Sequence, residues 1–151
     1  MAFARSLLGD IDAARDLVQE AAARALAARQ VPEDAAAYRA WMFRIVRNAA
    51  LDELRRRRHR PVEEPPAVDL WAFDNARIAK ITVEQGLANL SSANKEIIAL
   101  IDIAGFHYGE AAEILEIPVG TVMSRIARAR SALLAAIEAS SVRPMKSSHG
   151  R

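Results

Sequence analysis

The feature that most constrains the fold is the stretch of residues 106–137, in which a short break separates two amphipathic segments. Pro118 lies in the break, because a proline cannot continue a helix but suits the first turn of the next one. In the second segment apolar residues recur every three or four positions and form one buried stripe. The stripe consists of Val122, Ile126, Ala129, Leu133 and Ile137. The pattern predicts two helices joined by a tight turn, a helix-turn-helix.

The opposite side of the second helix is small, hydroxylic and cationic. It carries Thr121, Ser124, Arg125, Arg128 and Ser131. Such a face suits a helix in the major groove of DNA, where guanidinium and hydroxyl groups reach bases and phosphates. The periodicity alone fits equally well a helical hairpin with a solvated basic face.

The composition favours an all-helical protein and excludes several kinds of site. Hydrophobic residues make up 52% of the 151 residues, aromatic residues only 5%, and there is no cysteine. Disulfides and thiolate sites are therefore excluded. We find no Gly-rich phosphate loop, nucleophile triad or metal-ligand cluster, and we expect neither an enzyme nor a cofactor. Without a signal peptide or an apolar run of about 20 residues, we expect a cytoplasmic protein with no membrane insertion.

Residues 117–130, IPVGTVMSRIARAR, closely resemble the promoter −35 reading helix (region 4) of the extracytoplasmic-function (ECF) sigma factors of bacterial RNA polymerase. The resemblance implies that this helix reads −35 DNA. The implied contacts are Thr121, Ser124, Arg125, Ala127 and Arg128.

A second string, RAWMFRIVRN at residues 39–48, resembles ECF regions 2.3 and 2.4, which melt and read the −10 element. Its chemistry fits, because an exposed tryptophan can stack on an unpaired base while arginines neutralise phosphates. Taken alone, Trp41 is also consistent with a core aromatic, and we assign Phe43 to the core. The predicted −10 set is Trp41, Arg44, Arg47, Asn48 and Arg55. Five arginines within residues 55–60 exceed what a helix end needs and favour phosphate contact.

The first long helix, expected at residues 12–29, resembles the part of sigma region 2 that docks on the coiled coil of the polymerase β′ subunit. Within that resemblance Asp16, Gln19 and Glu20 carry the docking contacts. On the apolar side we expect, among others, Leu17 and Leu26. The loop expected at residues 30–36 takes the place of the ECF pocket for a base flipped out of the −10 element.

The predicted fold class is all-α, with two small helical domains joined by a flexible acidic linker. We expect region 2 at residues 1–60, the linker at 61–75, region 4 with its helix-turn-helix at 76–139 and a flexible tail at 140–151. Further helices are predicted at residues 37–58, 76–90 and 93–104, the last capped by Ser91 or Ser92. Leu70, Trp71 and Phe73 form an apolar cluster in the linker, and we expect it to dock on a domain, polymerase or an inhibitor.

The chain departs from the ECF pattern at four places. It starts late relative to the first helix of the family. Met123 stands where the family often has Lys or Arg, which removes a possible phosphate contact. Glu116 occupies a turn position where Gly is frequent, and a left-handed backbone there costs about 1 kcal/mol. Residues 91–93, Ser-Ser-Ala, replace a proline-rich helix start.

The sequence therefore predicts an ECF-type sigma factor that binds core RNA polymerase, reads −35 DNA and opens −10 DNA. The expected partners are core polymerase (β′ coiled coil and β flap), promoter DNA and an anti-sigma factor. Two alternatives remain: a two-domain helix-turn-helix regulator that acts without polymerase, and a sigma mimic that holds an anti-sigma factor.

Overall fold

The computed structural model describes residues 1–57 and 75–141, with side chains at residues 1–57 and 81–139. These residues are helical throughout apart from short turns, as the all-α prediction requires. The helices are α1 (Ala2–Leu8), α2 (Ile11–Leu26), α3 (Ala35–Arg57), α4 (Asn75–Ala88), α5 (Ser92–Ile98, continued by a π-helical turn, Ala99–Ile103), α6 (Tyr108–Leu115) and α7 (Val119–Ser141). The predicted arginine run beyond residue 57, most of the linker with its aromatic cluster, and nearly all of the tail lie outside the described residues.

Helices α1, α2 and α3 form an N-terminal group. Gly9 ends α1 with a left-handed backbone (φ 74°), and Asp10 caps α2 by accepting hydrogen bonds from the backbone N–H of Asp12 (3.1 Å) and Ala13 (3.3 Å). An aspartate suits this position, because its carboxylate accepts backbone N–H groups that have no partner within the helix. The predicted end of α2 is wrong by three residues, since the helix stops at Leu26. Leu26 is 89% exposed, because the buried residues of this helix end at Ala21.

Helix α3 is the first of the two longest helices and packs along α2. It begins at Ala35, two residues before the predicted start, where the Asp34 carboxylate accepts the backbone N–H of Ala37 (2.8 Å). Ala49 and Ala50 are fully buried, and their small side chains allow the close approach of the neighbouring helices.

Helices α4 to α7 form a C-terminal group in which α7 packs on α4, α5 and α6. The Ser91 hydroxyl accepts the backbone N–H of Asn94 (3.3 Å), which confirms the serine cap of α5. The single helix expected at residues 93–104 is instead an α-helix followed by a π-helical turn. Gly105, with a left-handed backbone (φ 72°), then reverses the chain and directs Phe106 into the core.

The helix-turn-helix prediction is confirmed by α6, the turn and α7. Glu116 is left-handed (φ 56°, ψ 43°), and Ile117 N–H donates to the Ala112 carbonyl (3.1 Å). The Pro118 carbonyl accepts hydrogen bonds from Thr121 and Val122 and opens α7. The predicted stripe is buried at Val122, Ile126 and Ala129 and half-buried at Leu133 and Ile137.

The two groups pack against each other around one continuous core. Phe43 of α3 lies between the rings of Phe3 (centroids 5.0 Å apart) and Phe106 (4.8 Å, edge to face). Phe43 was assigned to the core, and the structure shows it half-buried and packed against a core that includes residues of both groups.

Candidate nucleic-acid interface

The predicted −35 residues lie together on the outward side of α7. Ser124, Ala127 and Arg128 are exposed, and Thr121 and Arg125 are half-buried. The Ser124 hydroxyl donates to the Thr121 carbonyl (3.1 Å), and Arg128 Nε donates to the Ser124 carbonyl (3.2 Å). Both hydrogen bonds join residues of α7, so neither of them ties this face to another helix.

A third arginine of α7 has a structural partner. Arg130 forms two hydrogen bonds with the Asp102 carboxylate, from Nη2 (2.6 Å) and from Nε (3.2 Å). The hydrogen bond to Asp102 and its charge raise the pKa of Arg130 above its ordinary value. This pair ties α7 to the π-helical turn and helps to fix the orientation of the outward face.

The predicted −10 residues on α3 divide into two sets. Asn48 and Arg55 are exposed, and Trp41 is half-buried with its ring 5.7 Å from that of Tyr38. Tyr38 is 43% exposed and adds a second ring to the surface on which a base could stack. The sequence analysis did not include Tyr38 in the −10 set. Its spacing of three positions from Trp41 places the two rings on the same side of a helix, and the sequence contains that signal.

Arg44 and Arg47 instead contact the C-terminal group. Arg47 Nε lies 2.5 Å from a carboxylate oxygen of Glu96 on α5, and Glu96 is only 6% exposed. Arg44 Nη2 donates to the Glu113 carbonyl on α6 (3.0 Å), while its Nε is buried and has no hydrogen-bond partner among the described residues.

Arg39 makes a further contact between the groups that the sequence did not predict. Its guanidinium donates to the Ala104 carbonyl and lies 3.9 Å from the centre of the Phe106 ring. Glu96 was missed as well, since nothing in the chain near it indicates that its partner lies 49 positions earlier.

The predicted polymerase-docking residues lie on the outer side of α2. Asp16, Gln19 and Glu20 are all exposed, opposite the buried Ala14 and Leu17. Glu20 forms an ion pair with Arg24 one turn later (2.5 Å). This acidic face is accessible while the two helical groups are packed together.

A cleft of about 690 Å³ lies between α1 and α4. Leu8, Val83 and Leu87 contribute apolar walls, and Lys95 lies at its edge. Partial burial lowers the pKa of Lys95 below its ordinary value. In the part of the chain that the structure describes, no group of three acidic or histidine side chains could hold a metal ion, and no helix could span a membrane.

Two family models match the chain in the order that the resemblance predicted. Sigma-70 region 2 matches residues 1–60, and Sigma-70 region 4 matches residues 80–133. The ECF RNA polymerase sigma factor SigC of Mycobacterium tuberculosis is 35% identical over 136 residues, which cover 87% of this chain and 74% of SigC. The ECF sigma factor EcfG of Rhodopseudomonas palustris is 37% identical over 139 residues, 89% of this chain and 76% of EcfG.

The chain belongs to the ECF RNA polymerase sigma factors. Such a factor binds polymerase and directs transcription initiation at promoters, as the sequence predicted.

Solved structures agree with this assignment. The sigma factor RpoE of Bartonella quintana, in complex with the anti-sigma factor NepR, superposes with a TM-score of 0.70 at 29% identity over 91% of this chain and 88% of RpoE. CnrH, in complex with the cytosolic domain of CnrY, superposes with a TM-score of 0.68 at 31% identity over 91% of this chain and 79% of CnrH. The fold of this ECF factor is therefore shared by RpoE, which binds the anti-sigma factor NepR, and by CnrH.

Proposed function

We propose that α7 of this sigma factor reads the −35 element with its outward face. The observation that carries the proposal is the position of Ser124, Arg125 and Arg128 on the side of α7 opposite the buried stripe, where they remain accessible. Arginine can bond a guanine edge with two donors, and serine and threonine bond bases or phosphates. Ala127 and Thr121 complete the proposed surface.

We further propose that α3 reads and melts the −10 element. Trp41, with Tyr38 beside it, offers rings for an unpaired base. Asn48 would bond base edges, and Arg44, Arg47 and Arg55 would neutralise phosphates. Asp16, Gln19 and Glu20 on α2 are proposed to dock on the β′ coiled coil, and the C-terminal region on the β flap.

The proposed division is region 2 at residues 1–60, a linker at 61–75, region 4 at 76–139 and a tail at 140–151. We also propose that the factor acts in the cytoplasm, where polymerase works, contributes no catalysis of its own and is held by an anti-sigma factor. The complex of RpoE with the anti-sigma factor NepR supports the last point.

Run-off transcription with core polymerase across a promoter library tests the whole proposal. We expect transcripts from a subset of promoters that share −35 and −10 sequences. Tight duplex binding by the free protein without any transcript would favour the regulator that acts without polymerase. No DNA binding at all would favour the sigma mimic.

Substitution of Arg128 by Ala tests the −35 surface. We expect a loss of about 1–3 kcal/mol of −35 duplex binding if the guanidinium contacts a base, and a shallower salt dependence if it contacts phosphate. Fluorescence anisotropy with a −35 duplex at several salt concentrations measures both. Arg15→Ala, which removes an exposed arginine of α2, is the matched control and should change neither. An unchanged affinity and salt slope for Arg128→Ala would refute both roles.

A further inference from the structure

The outward side of α7 carries an apolar strip beside the polar residues that are proposed to read the −35 element. Val119 and Met123 are 44% and 53% exposed, and Ala127 is exposed as well. Their spacing of four positions places them nearly in line along the helix, next to Ser124 and Arg128. The proposed reading surface therefore has an apolar side and a polar side.

The packing of α7 gives no reason for a large apolar side chain at Met123. Val122 and Ile126 are buried (0% and 2% exposed), so they fix the rotation of the helix and leave Met123 turned outward. Among the residues that the structure describes, Met123 and Val119 belong neither to the core cluster nor to the half-buried side chains that pack on it. Single exposed apolar residues are ordinary on a protein surface. A methionine one position before Ser124, however, is placed to contact whatever the reading surface binds.

The position of Met123 along α7 favours a contact with bases. A recognition helix contacts base edges with residues near its N-terminus, and Met123 is the fifth residue of α7 (Val119–Ser141). The left-handed Glu116 and the Pro118 carbonyl, which accepts the first backbone hydrogen bonds of α7, fix where this helix begins. Met123 therefore lies in the part of the helix that reaches bases rather than in the part that packs on α4.

The chemistry of the methionine side chain selects one feature of DNA. In the major groove the base edges present hydrogen-bond donors and acceptors and one apolar substituent, the C5-methyl group of thymine. The thioether of methionine is a weak acceptor and has no donor, so it cannot compete for the polar edges. Methionine is also unbranched and polarisable, and it therefore fits closely against a methyl group.

We infer that Met123 is a specificity-determining residue of the −35 surface and contacts the C5-methyl group of a thymine. This inference rests on the proposed reading of −35 DNA by α7. Arg125 and Arg128 supply the charged contacts, while Met123, with Ala127 beside it, selects an A·T pair next to them. A lysine or arginine at position 123, which the ECF pattern often has, would bind phosphate instead and would carry no preference for the methyl group.

Removal of the thymine methyl group alone tests the inference. The protein is used as the holoenzyme with core polymerase, and the probes are promoters recovered from the run-off library, with each −35 thymine replaced in turn by deoxyuridine. Deoxyuridine keeps the base pair and its hydrogen-bonding edge and lacks only the methyl group. We expect one thymine at which the replacement lowers the promoter affinity about fourfold, as for one buried methyl group. Competition against the unmodified promoter measures the change.

Variants of α7 test whether Met123 makes this contact. Met123→Ala should lower the affinity by about the same factor and should no longer distinguish thymine from deoxyuridine, because the two groups belong to one contact. Met123→Lys should also lose the distinction, while its salt dependence steepens by about one phosphate contact. Leu134→Ala is the matched control, since it shortens another exposed apolar side chain of α7 (58% exposed) far from the N-terminal turns. It should keep the full sensitivity to the methyl group.

Three results would overturn the inference and leave the proposed function in place. They are −35 elements without an A·T pair, thymines that all tolerate deoxyuridine without loss, and an equal loss in the parent and in Met123→Ala. In each case the library still yields transcripts and Arg128→Ala still weakens −35 binding. Absence of transcripts from the whole library would instead refute the proposed function, and the inference with it.

Discussion

At the scale of single residues, Glu116 adopts a backbone conformation that a glutamate does not favour. Its φ of 56° lies in the left-handed region, which the side chains of L-residues make unfavourable. Two features hold this left-handed conformation. The Ile117 N–H donates to the Ala112 carbonyl, and the neighbouring side chains of Ile114 and Leu115 are buried. The helix-turn-helix geometry therefore imposes the backbone strain at Glu116, and the packing of the neighbouring side chains offsets its cost.

Replacement of Glu116 by glycine should stabilise the protein. Glycine adopts the left-handed backbone freely, which relieves a strain of about 1 kcal/mol. After the higher entropy of glycine in the unfolded chain is subtracted, we expect a gain of up to about 0.5 kcal/mol in the free energy of unfolding. Urea denaturation followed by circular dichroism measures the change. Glu113→Gly, an exposed position within α6, should instead destabilise by about 1 kcal/mol. A loss of stability in Glu116→Gly would show that the glutamate side chain matters more than the backbone strain.

Met123 is a second single residue whose environment explains part of its role. Its side chain is 53% exposed on α7, one position before Ser124, so no packing requirement explains a methionine here. The sequence comparison with the ECF pattern suggested a lost phosphate contact, and the exposed position is compatible with that interpretation.

At the scale of helices, the contact between α4 and α7 depends on a glycine, Gly86, which has no side chain. A Cβ atom at Gly86 would lie 2.9 Å from Ile137 Cγ1 and 3.1 Å from Leu133 Cδ1. An alanine here would therefore require the side chains of Ile137 and Leu133 to shift. Because α7 carries the proposed −35 surface, this contact contributes to its orientation.

Gly86→Ala should destabilise the protein despite the better helix propensity of alanine. Propensity favours alanine by about 1 kcal/mol, whereas overpacking costs about 1–3 kcal/mol, and we expect a net loss of about 1 kcal/mol. Gly109→Ala is the matched control, since a Cβ at this helical position meets nothing within 4 Å, and it should be neutral or stabilising. The urea midpoints of the two variants measure this difference, and greater stability of Gly86→Ala would mean that the side chains of Ile137 and Leu133 move aside without cost.

At the scale of the whole molecule, the buried residues of the two groups form one cluster rather than two. Phe3, Phe43 and Phe106 join α1, α3 and the segment before α6 in one aromatic contact. Separation of the two groups would expose this apolar surface to water, and the free-energy cost of that exposure keeps the groups together.

This shared core predicts a single cooperative unfolding transition. Urea unfolding followed by Trp41 fluorescence in a Trp71→Phe background reports the N-terminal group, while circular dichroism reports all the helices. We expect the two curves to superimpose. A second transition seen by circular dichroism alone would show that the two groups unfold independently, and Glu96→Gln should move the protein in that direction.

The sequence by itself determined the described helices other than α1, the helix-turn-helix and the outward faces of α2 and α7. All of these follow from periods of three or four residues and, at α5, from the local cap Ser91. Within the predicted helices, the structure differs from the prediction at helix ends, at the exposed Leu26 and at the π-helical turn after Ile98. Local spacing determines which side of a helix is apolar, so a sequence contains that information directly.

Only the tertiary structure decided what covers the face of α3. The partners Arg47 and Glu96, and Phe43 and Phe106, are far apart in the chain, and no local pattern relates them. Arg44 and Arg47 could have pointed to solvent and satisfied the same periodicity. Their contacts arise because two apolar surfaces pack together. This packing brings the buried Glu96 carboxylate and the Glu113 backbone carbonyl to guanidinium groups that the sequence motif assigns to DNA.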